Sequence, residues 1–322
     1  MRIAFVFPGQ GSQSVGMLGG FADNETVRGA LARADEELGF SIERLIAEGP
    51  AEELNLTVNT QPAVLASSVA FYEAWLAAGG QKPELLAGHS LGEYSALCAA
   101  GVFPLEEAVK LVRFRADVVE LHPRIVVICA GTNDIARNTG GMAAIIGLSD
   151  EDVEAACMAG RAAGTVEAVN FNSPGQVVIA GHIEAVRAAV EDAKARGARR
   201  AIELPVSAPF HSSLLESAAK RLAERLEGVA MAEPSIPVIA NVDVTVHKNP
   251  DEIRAALARQ ACSAVQWVKT IEAMKAAGIT DIVECGPGRV LVGLIRRIAP
   301  EIKTHNIYDQ ATLEKTLAAL SN

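Results

Sequence analysis

Aromatic side chains are scarce in this 322-residue chain, at 4%, although 50% of its residues are hydrophobic. The core must therefore be made of Ala, Val, Leu and Ile, a composition that suits helices packed on a buried parallel sheet. Basic charge is also in deficit. Lys and Arg number 29 against 39 Asp and Glu, for a net charge of −10. This excludes general nucleic-acid binding and attraction to an anionic membrane surface. Cysteine is sparse: Cys98, Cys129, Cys157, Cys262 and Cys285 are odd in number, far apart and without a C-x-x-C pair. Disulfides and a zinc site are therefore not expected. No apolar run reaches membrane-spanning length. The N-terminus, Met1-Arg2-Ile3-Ala4-Phe5, begins directly with a strand pattern rather than a signal peptide, so a cytoplasmic protein is expected.

What is present centres on Ala87-Gly88-His89-Ser90-Leu91-Gly92-Glu93-Tyr94-Ser95. The apolar run Leu85-Leu86-Ala87 reads as a short buried strand, and a helix-compatible run follows from Gly92 to Ala100. Between them, Gly88-His89-Ser90-Leu91-Gly92 matches G-x-S-x-G at a strand-to-helix turn, the pattern of a nucleophile elbow. Glycines are needed there because the turn is too tight for a Cβ on either side. A serine hydroxyl is a weak nucleophile at neutral pH, so this reading also demands a base and an oxyanion hole. A Gly-Ser turn that merely caps a helix has the same local appearance.

Length favours one main domain and a smaller one. Ile3–Phe7 reads as a first strand ending at Pro8-Gly9-Gln10-Gly11-Ser12-Gln13. That loop lacks the lysine of a phosphate loop, and its better use is to offer backbone N–H groups to a developing anion. A helix is expected from Thr60 to about Ala78 and another from Pro104 through Arg115. From Met142 the elements shorten into the order β-α-β-β-α-β, ending near Leu204, which is the ferredoxin-like unit. Strands at Val238–Val242 and Ile282–Glu284 and helices at Pro250–Ala261 and Val268–Ala277 resume the main domain. The fold class is thus α/β: a hydrolase-like parallel-sheet main domain over 1–140 and 206–322, with an inserted ferredoxin-like domain over 141–205.

Six histidines are available as a base. His89 neighbours Ser90 in the turn and should point away from it. His122, His182, His247 and His305 fall at expected loops or element ends. His211, in Ser207-Ala208-Pro209-Phe210-His211, sits at a strand-to-helix junction, where side chains commonly reach a functional site. Spacing alone favours it only modestly over a capping or surface histidine.

Several segments together resemble the malonyl-CoA:acyl carrier protein transacylase family. They are Phe7-Pro8-Gly9-Gln10-Gly11-Ser12-Gln13, Gln61-Pro62-Ala63, the Ser90 block, and Asn172-Ser173-Pro174-Gly175-Gln176. The His211 block, Asn241-Val242-Asp243, Val265-Gln266-Trp267 and Gly286-Pro287-Gly288 follow in family order, over nearly the whole chain. The resemblance implies Ser90 as nucleophile and His211 as base, with the carbonyl of Gln260 fixing the imidazole tautomer. It implies an oxyanion hole from the N–H groups of Gln10 and Leu91. It also implies that Arg115 holds the malonyl carboxylate, that Gln61 lines the pocket, and that Phe210 disfavours an α-methyl branch by about 1–3 kcal/mol. Arg113 faces another side of the same helix. The implied chemistry is malonyl transfer through a serine ester, with coenzyme A thioester as substrate, no cofactor or metal, and a monomeric enzyme. An acidic acyl carrier protein would need a local basic patch, either Lys194, Arg196, Arg199 and Arg200 or Arg289, Arg296 and Arg297.

One segment, 121–140, departs from that pattern. Ile125–Cys129 followed by Gly131-Thr132-Asn133-Asp134 is similar to a buried strand and block of SGNH esterases. The companion G-D-S and D-x-x-H blocks are missing, and one block assembles no active site. Two rival readings remain. A thioesterase or esterase using the same Ser90 would need no carboxylate anchor, and a non-catalytic carrier-protein-binding module would tolerate Ser90→Ala.

Overall fold

Short runs of Val, Ile, Leu, Ala and Phe dominate the buried strands, each too brief for a helix. The computed structural model describes residues 1–130, 140–206 and 208–321, with the backbone alone described for 121–130. In chain order the elements are β1 (Ile3–Phe7), α1 (Glu25–Leu38), α2 (Ile42–Glu48), α3 (Ala51–Leu54), α4 (Thr57–Ala77), β2 (Leu85–Gly88), α5 (Gly92–Ala99) and α6 (Leu105–Ala130). Next come β3 (Gly140–Ile146), α7 (Asp150–Gly160), β4 (Val166–Ser173), β5 (Gln176–His182), α8 (Ile183–Ala195), β6 (Arg200–Glu203) and α9 (Glu216–Glu227). The last are β7 (Val238–Ile239), α10 (Pro250–Gln260), α11 (Trp267–Ala276), β8 (Asp281–Cys285), α12 (Val290–Ile298), β9 (Lys303–Ile307) and α13 (Gln310–Leu320). Two compact units result: Met1–Ala116 with Gly228–Ile253 and Thr270–Asn322, and Asp117–Glu227 with Arg254–Lys269.

The first unit is built on a five-stranded parallel sheet in the order β7-β2-β1-β8-β9. Every residue of β1, β2 and β8 is buried, as expected of parallel strands covered on both faces. The few aromatics are concentrated here. Phe5 stacks edge-on against Tyr72 and lies against Trp75 at 5.3 Å, so α4 is fastened to the sheet by rings. That helix starts at Thr57 rather than Thr60, which leaves Pro62 inside it. Pro62 is the sixth residue of this helix, past its first turn, so one bond to the Val58 carbonyl is given up and the packing of a helix buried along most of its length offsets the loss.

The second unit contains a four-stranded antiparallel sheet in the order β4-β5-β3-β6. With α7 and α8 the chain order is βαββαβ, and an aliphatic cluster including Ile145, Val166, Ile179, Val186 and Val190 fills its interior. The fold class is therefore the expected one, mixed α/β with one parallel and one antiparallel sheet.

Three local expectations are corrected. Ile125–Cys129 is not a strand: the helix begun at Leu105 runs through it to Ala130. Five apolar residues without alternation suit either state, and an established helix propagates more easily than a new strand nucleates. The Gly131-Thr132-Asn133-Asp134 block lies outside the described residues. Strand β7 ends at Ile239, three residues early, because the chain turns back on itself with Ala240 donating to Thr245. His305 sits not at an element end but within β9.

His305 Nε2 lies 3.0 Å from Asp281 Oδ1, and Asp281 is only 3% exposed. Burial pushes the Asp281 carboxyl up, but bonds from His305 and Thr280 and the charges of His305 and Lys303 outweigh it, leaving it below the ordinary aspartate value. A lowered carboxyl contributes stability above the unfolded-state pKa and loses it as pH falls through the folded-state value. Asp281→Ala should lower the unfolding free energy by about 1–3 kcal/mol at neutral pH in urea titrations. The gap to the wild type should close in acid below the ordinary aspartate range.

Candidate active site

Strand β2 ends at Gly88, which pairs in register with Phe7 at the end of β1. The chain then turns through His89-Ser90-Leu91 into α5. Ser90 has φ 53°, in the left-handed region that a serine avoids unless its surroundings enforce it. A Cβ on Gly88 would stand 1.8 Å from the carbonyl carbon of Gly92, and one on Gly92 would stand 2.0 Å from Phe7 O. The helix N-terminus is thus seated directly on the carboxyl end of β1. A Cβ on Gly9 would meet His89 O at 2.6 Å, so the loop carrying Gln10 lies against the elbow. Among the described residues the backbone N–H groups of Gln10 and Leu91 donate to no protein acceptor. Both are available to an external anion beside Ser90, at the positive end of a helix.

Arg115 on α6 is 2% exposed, not a solvated helix arginine. Its Nη1 donates to Gln61 Oε1 at 2.9 Å, its Nη2 lies 3.4 Å from Ser90 Oγ, and its guanidinium carbon is 5.6 Å from the centre of the Tyr94 ring. Among the described residues it makes no salt bridge, and its Nε has no hydrogen-bond partner. Burial lowers its pKa from the usual arginine value, while Tyr94 and Glu93 favour the cation. Arginine keeps its charge even so. A buried guanidinium with spare donors is a site prepared for an anion. Arg113 does point elsewhere: it lies over the Phe40 ring and donates to Asn59.

In the second unit, His211 has φ 64° and is buried. Its Nδ1 lies 2.7 Å from Gln260 O. A carbonyl can only accept, so Nδ1 carries a proton, and in the neutral imidazole the lone pair then sits on Nε2. The turn is held on both sides. Ser212 Oγ donates to Pro209 O, and the Ser213 N–H and hydroxyl both donate to Glu167 on β4 at 2.8 Å. Phe210, just before His211, is buried. Ser207 lies outside the described residues.

Other nucleophiles are poorly placed for chemistry. Cys98, Cys157, Cys262 and Cys285 are free thiols, and burial pushes Cys98 and Cys157 up to about 12 and Cys285 well above its ordinary value.

Residues 4–299 match the model of the acyl transferase domain. The chain belongs to this acyl transferase family. It is 45% identical over 317 residues to the malonyl CoA-acyl carrier protein transacylase of Escherichia coli K12, covering 98% of this chain and 99% of that one. Among solved structures it resembles the acyl-carrier-protein S-malonyltransferase of Burkholderia pseudomallei 1710b, with a TM-score of 0.93, 50% identity, and coverage of 99% and 100% of the two chains. A malonyl-transacylase solved in complex with its type II PKS acyl-carrier protein is similar at a TM-score of 0.93 and 43% identity, covering 99% and 100%.

Two residues of this candidate site escaped the sequence reading. Asn241 was visible only as part of a motif, without a role. Glu93 was visible only as part of the elbow block. Both are buried polar groups bonded to the elbow backbone or to each other. The available signal was a charged residue inside an otherwise apolar, Gly-led helix start.

The glycine geometry gives a paired test. Gly92→Ala should abolish soluble expression or lower stability by more than about 3 kcal/mol, since the obstacle is backbone. Gly29→Ala, in the open middle of α1 with nothing near its Cβ position, should raise stability by about 0.5–1 kcal/mol. Thermal melts of the two variants check both outcomes.

Proposed function

We propose that this acyl transferase moves the malonyl group from malonyl-CoA to the phosphopantetheine thiol of acyl carrier protein through a malonyl-serine ester. The observation that carries the reading is Arg115, buried, without a carboxylate partner among the described residues, and with a donor reaching Ser90 Oγ. An ester of Ser90 bearing a free carboxylate would satisfy that guanidinium bidentately. A simple esterase has no use for a buried cation at this point, which disfavours the hydrolase alternative.

In this reading Ser90 Oγ attacks the thioester carbonyl carbon while His211 Nε2 accepts its proton. The oxyanion draws on the N–H groups of Gln10 and Leu91. Collapse breaks the C–S bond, and coenzyme A leaves as the thiol with the proton from His211. The carrier-protein thiol then gives its proton to His211 and attacks the ester, and Ser90 recovers a proton as it leaves. Gln61 orients Arg115, and Phe210 narrows the space beside the malonyl methylene. The reaction needs no cofactor, since coenzyme A is a substrate, and we place the enzyme in the cytoplasm as a monomer. Among the described residues no helix is long and apolar enough to cross a membrane.

For the carrier protein we favour the patch of Arg289, Arg296 and Arg297. The rival patch is partly neutralised, with Lys194 paired to Glu191 and Arg196 to Asp192 and Asp152. Arg296 is instead bonded to the neutral Thr304, and Arg289 lies over Tyr308.

Intact-protein mass after brief exposure to malonyl-CoA tests the chemistry. One malonyl adduct is expected, absent in Ser90→Ala, with kcat/KM for malonyl-CoA in Arg115→Ala falling at least about 30-fold. Free coenzyme A accumulating without adduct would replace the reading with hydrolysis. Arg296→Glu should raise KM for acyl carrier protein several-fold while leaving KM for malonyl-CoA unchanged, measured by steady-state transfer at low salt.

A further inference from the structure

We infer that Asn241, backed by Glu93, is a positioning residue that holds Ser90 in its strained, reactive conformation. The inference rests on Ser90 being the nucleophile. The Asn241 side chain accepts the Ser90 N–H on Oδ1 at 2.7 Å and donates from Nδ2 to Gly88 O at 2.6 Å. These two backbone groups bracket His89, at the point where the sheet ladder of β2 runs out. Strand β7 pairs with β2 through Leu86–Val238 and Ala87–Ile239. Asn241 therefore continues that pairing with a side chain where the backbone has begun to turn.

Only a primary amide offers one acceptor and one donor in the spacing of a peptide group, and the two bonds fix its orientation. The clamp is itself anchored. Asn241 is fully buried, and its own N–H donates to Glu93 Oε2 at 3.0 Å. Glu93 lies in the first turn of α5, so Asn241 ties the end of β2 to the helix that follows the nucleophile. The loop presenting Asn241 is held tightly too. Val244, a β-branched residue, is at φ 56° and donates its N–H to Ala240 O. A non-glycine residue at positive φ is strained and persists only where its surroundings enforce it. Around Ser90, Asn241 supplies that enforcement from outside the elbow.

The test is the rate and the endpoint of single-turnover malonylation, read by intact mass, for Asn241→Ala, Asn241→Asp, Glu93→Ala, Glu93→Gln and Ser90→Ala. Asn241→Ala should reach the wild-type endpoint of one adduct about 100-fold more slowly, with KM for malonyl-CoA changed by less than about threefold. Asn241→Asp should be similarly slow, because a carboxylate accepts from Ser90 but cannot donate to Gly88. Glu93→Gln loses the charge beside Arg115 but keeps an acceptor for the Asn241 N–H, and should malonylate several-fold faster than Glu93→Ala, which should lose about tenfold. Should Asn241→Ala be insoluble, Asn241→Asp and the two Glu93 variants decide. A role in folding alone would lower the endpoint and leave the rate intact, which would overturn the inference. Wild-type rates in the Asn241 variants, or equal rates in Glu93→Ala and Glu93→Gln, would overturn it as well. An adduct persisting in Ser90→Ala would instead refute the nucleophile itself.

Discussion

The seating of the α5 N-terminus on the carboxyl end of β1 is the contact on which the rest of the first unit depends. It is possible only because Gly92 brings no side chain against Phe7 O and Gly88 brings none against the Gly92 backbone. Once the helix starts there, the intervening turn must pass through a left-handed residue, and that residue is Ser90. Among the described residues the same approach leaves the Leu91 N–H without a partner, and it brings the Gln10 loop alongside through Gly9. A parallel sheet with its strand ends in register supplies the rigidity that such a turn requires, and open α/β sheets characteristically present their chemistry at the carboxyl ends of strands.

A second constraint is electrostatic. Burying Arg115, which has no carboxylate partner among the described residues, carries a desolvation cost, which the fold meets with the Gln61 amide, the face of Tyr94 and the field of Glu93. Glu93 itself is bonded to the Asn241 backbone rather than to the guanidinium. The arrangement keeps a negative group close enough to favour the cation and leaves the guanidinium donors open to another anion. Charge and backbone strain are thereby linked through one glutamate, which favours the arginine cation and bonds the Asn241 backbone beside the Ser90 turn.

The second unit solves a similar problem by other means. His211 also has a positive φ, and its turn is fixed by the paired bonds from Ser213 to Glu167 on β4. The Gln260 carbonyl sets its tautomer, a task that an aspartate performs in many serine hydrolases. A carbonyl does this without adding a charge, so the ring orientation and tautomer are fixed by a neutral acceptor.

Much of the architecture was legible along the chain. The apolar runs of β1 and β2, the glycines of the elbow and the βαββαβ order each depend on neighbours close in sequence, so local pattern was enough. The Ser90 turn was visible for the same reason: glycines flank it on both sides. Arg115 was recognisable only by resemblance, because helical spacing cannot distinguish a solvated arginine from one buried beside Tyr94. Asn241 was quoted in a motif yet had no assignable role, since its partners Gly88 and Ser90 lie far off in sequence. The run Ile125–Cys129 misled because five apolar residues carry no period. The sequence by itself thus determined the elements, the strained turn and the chemical types available, all properties of neighbouring residues. Tertiary structure alone decided which distant side chains share a hydrogen bond, as Asn241 does with Ser90 and His211 with Gln260, because those distances are set by sheet register and packing.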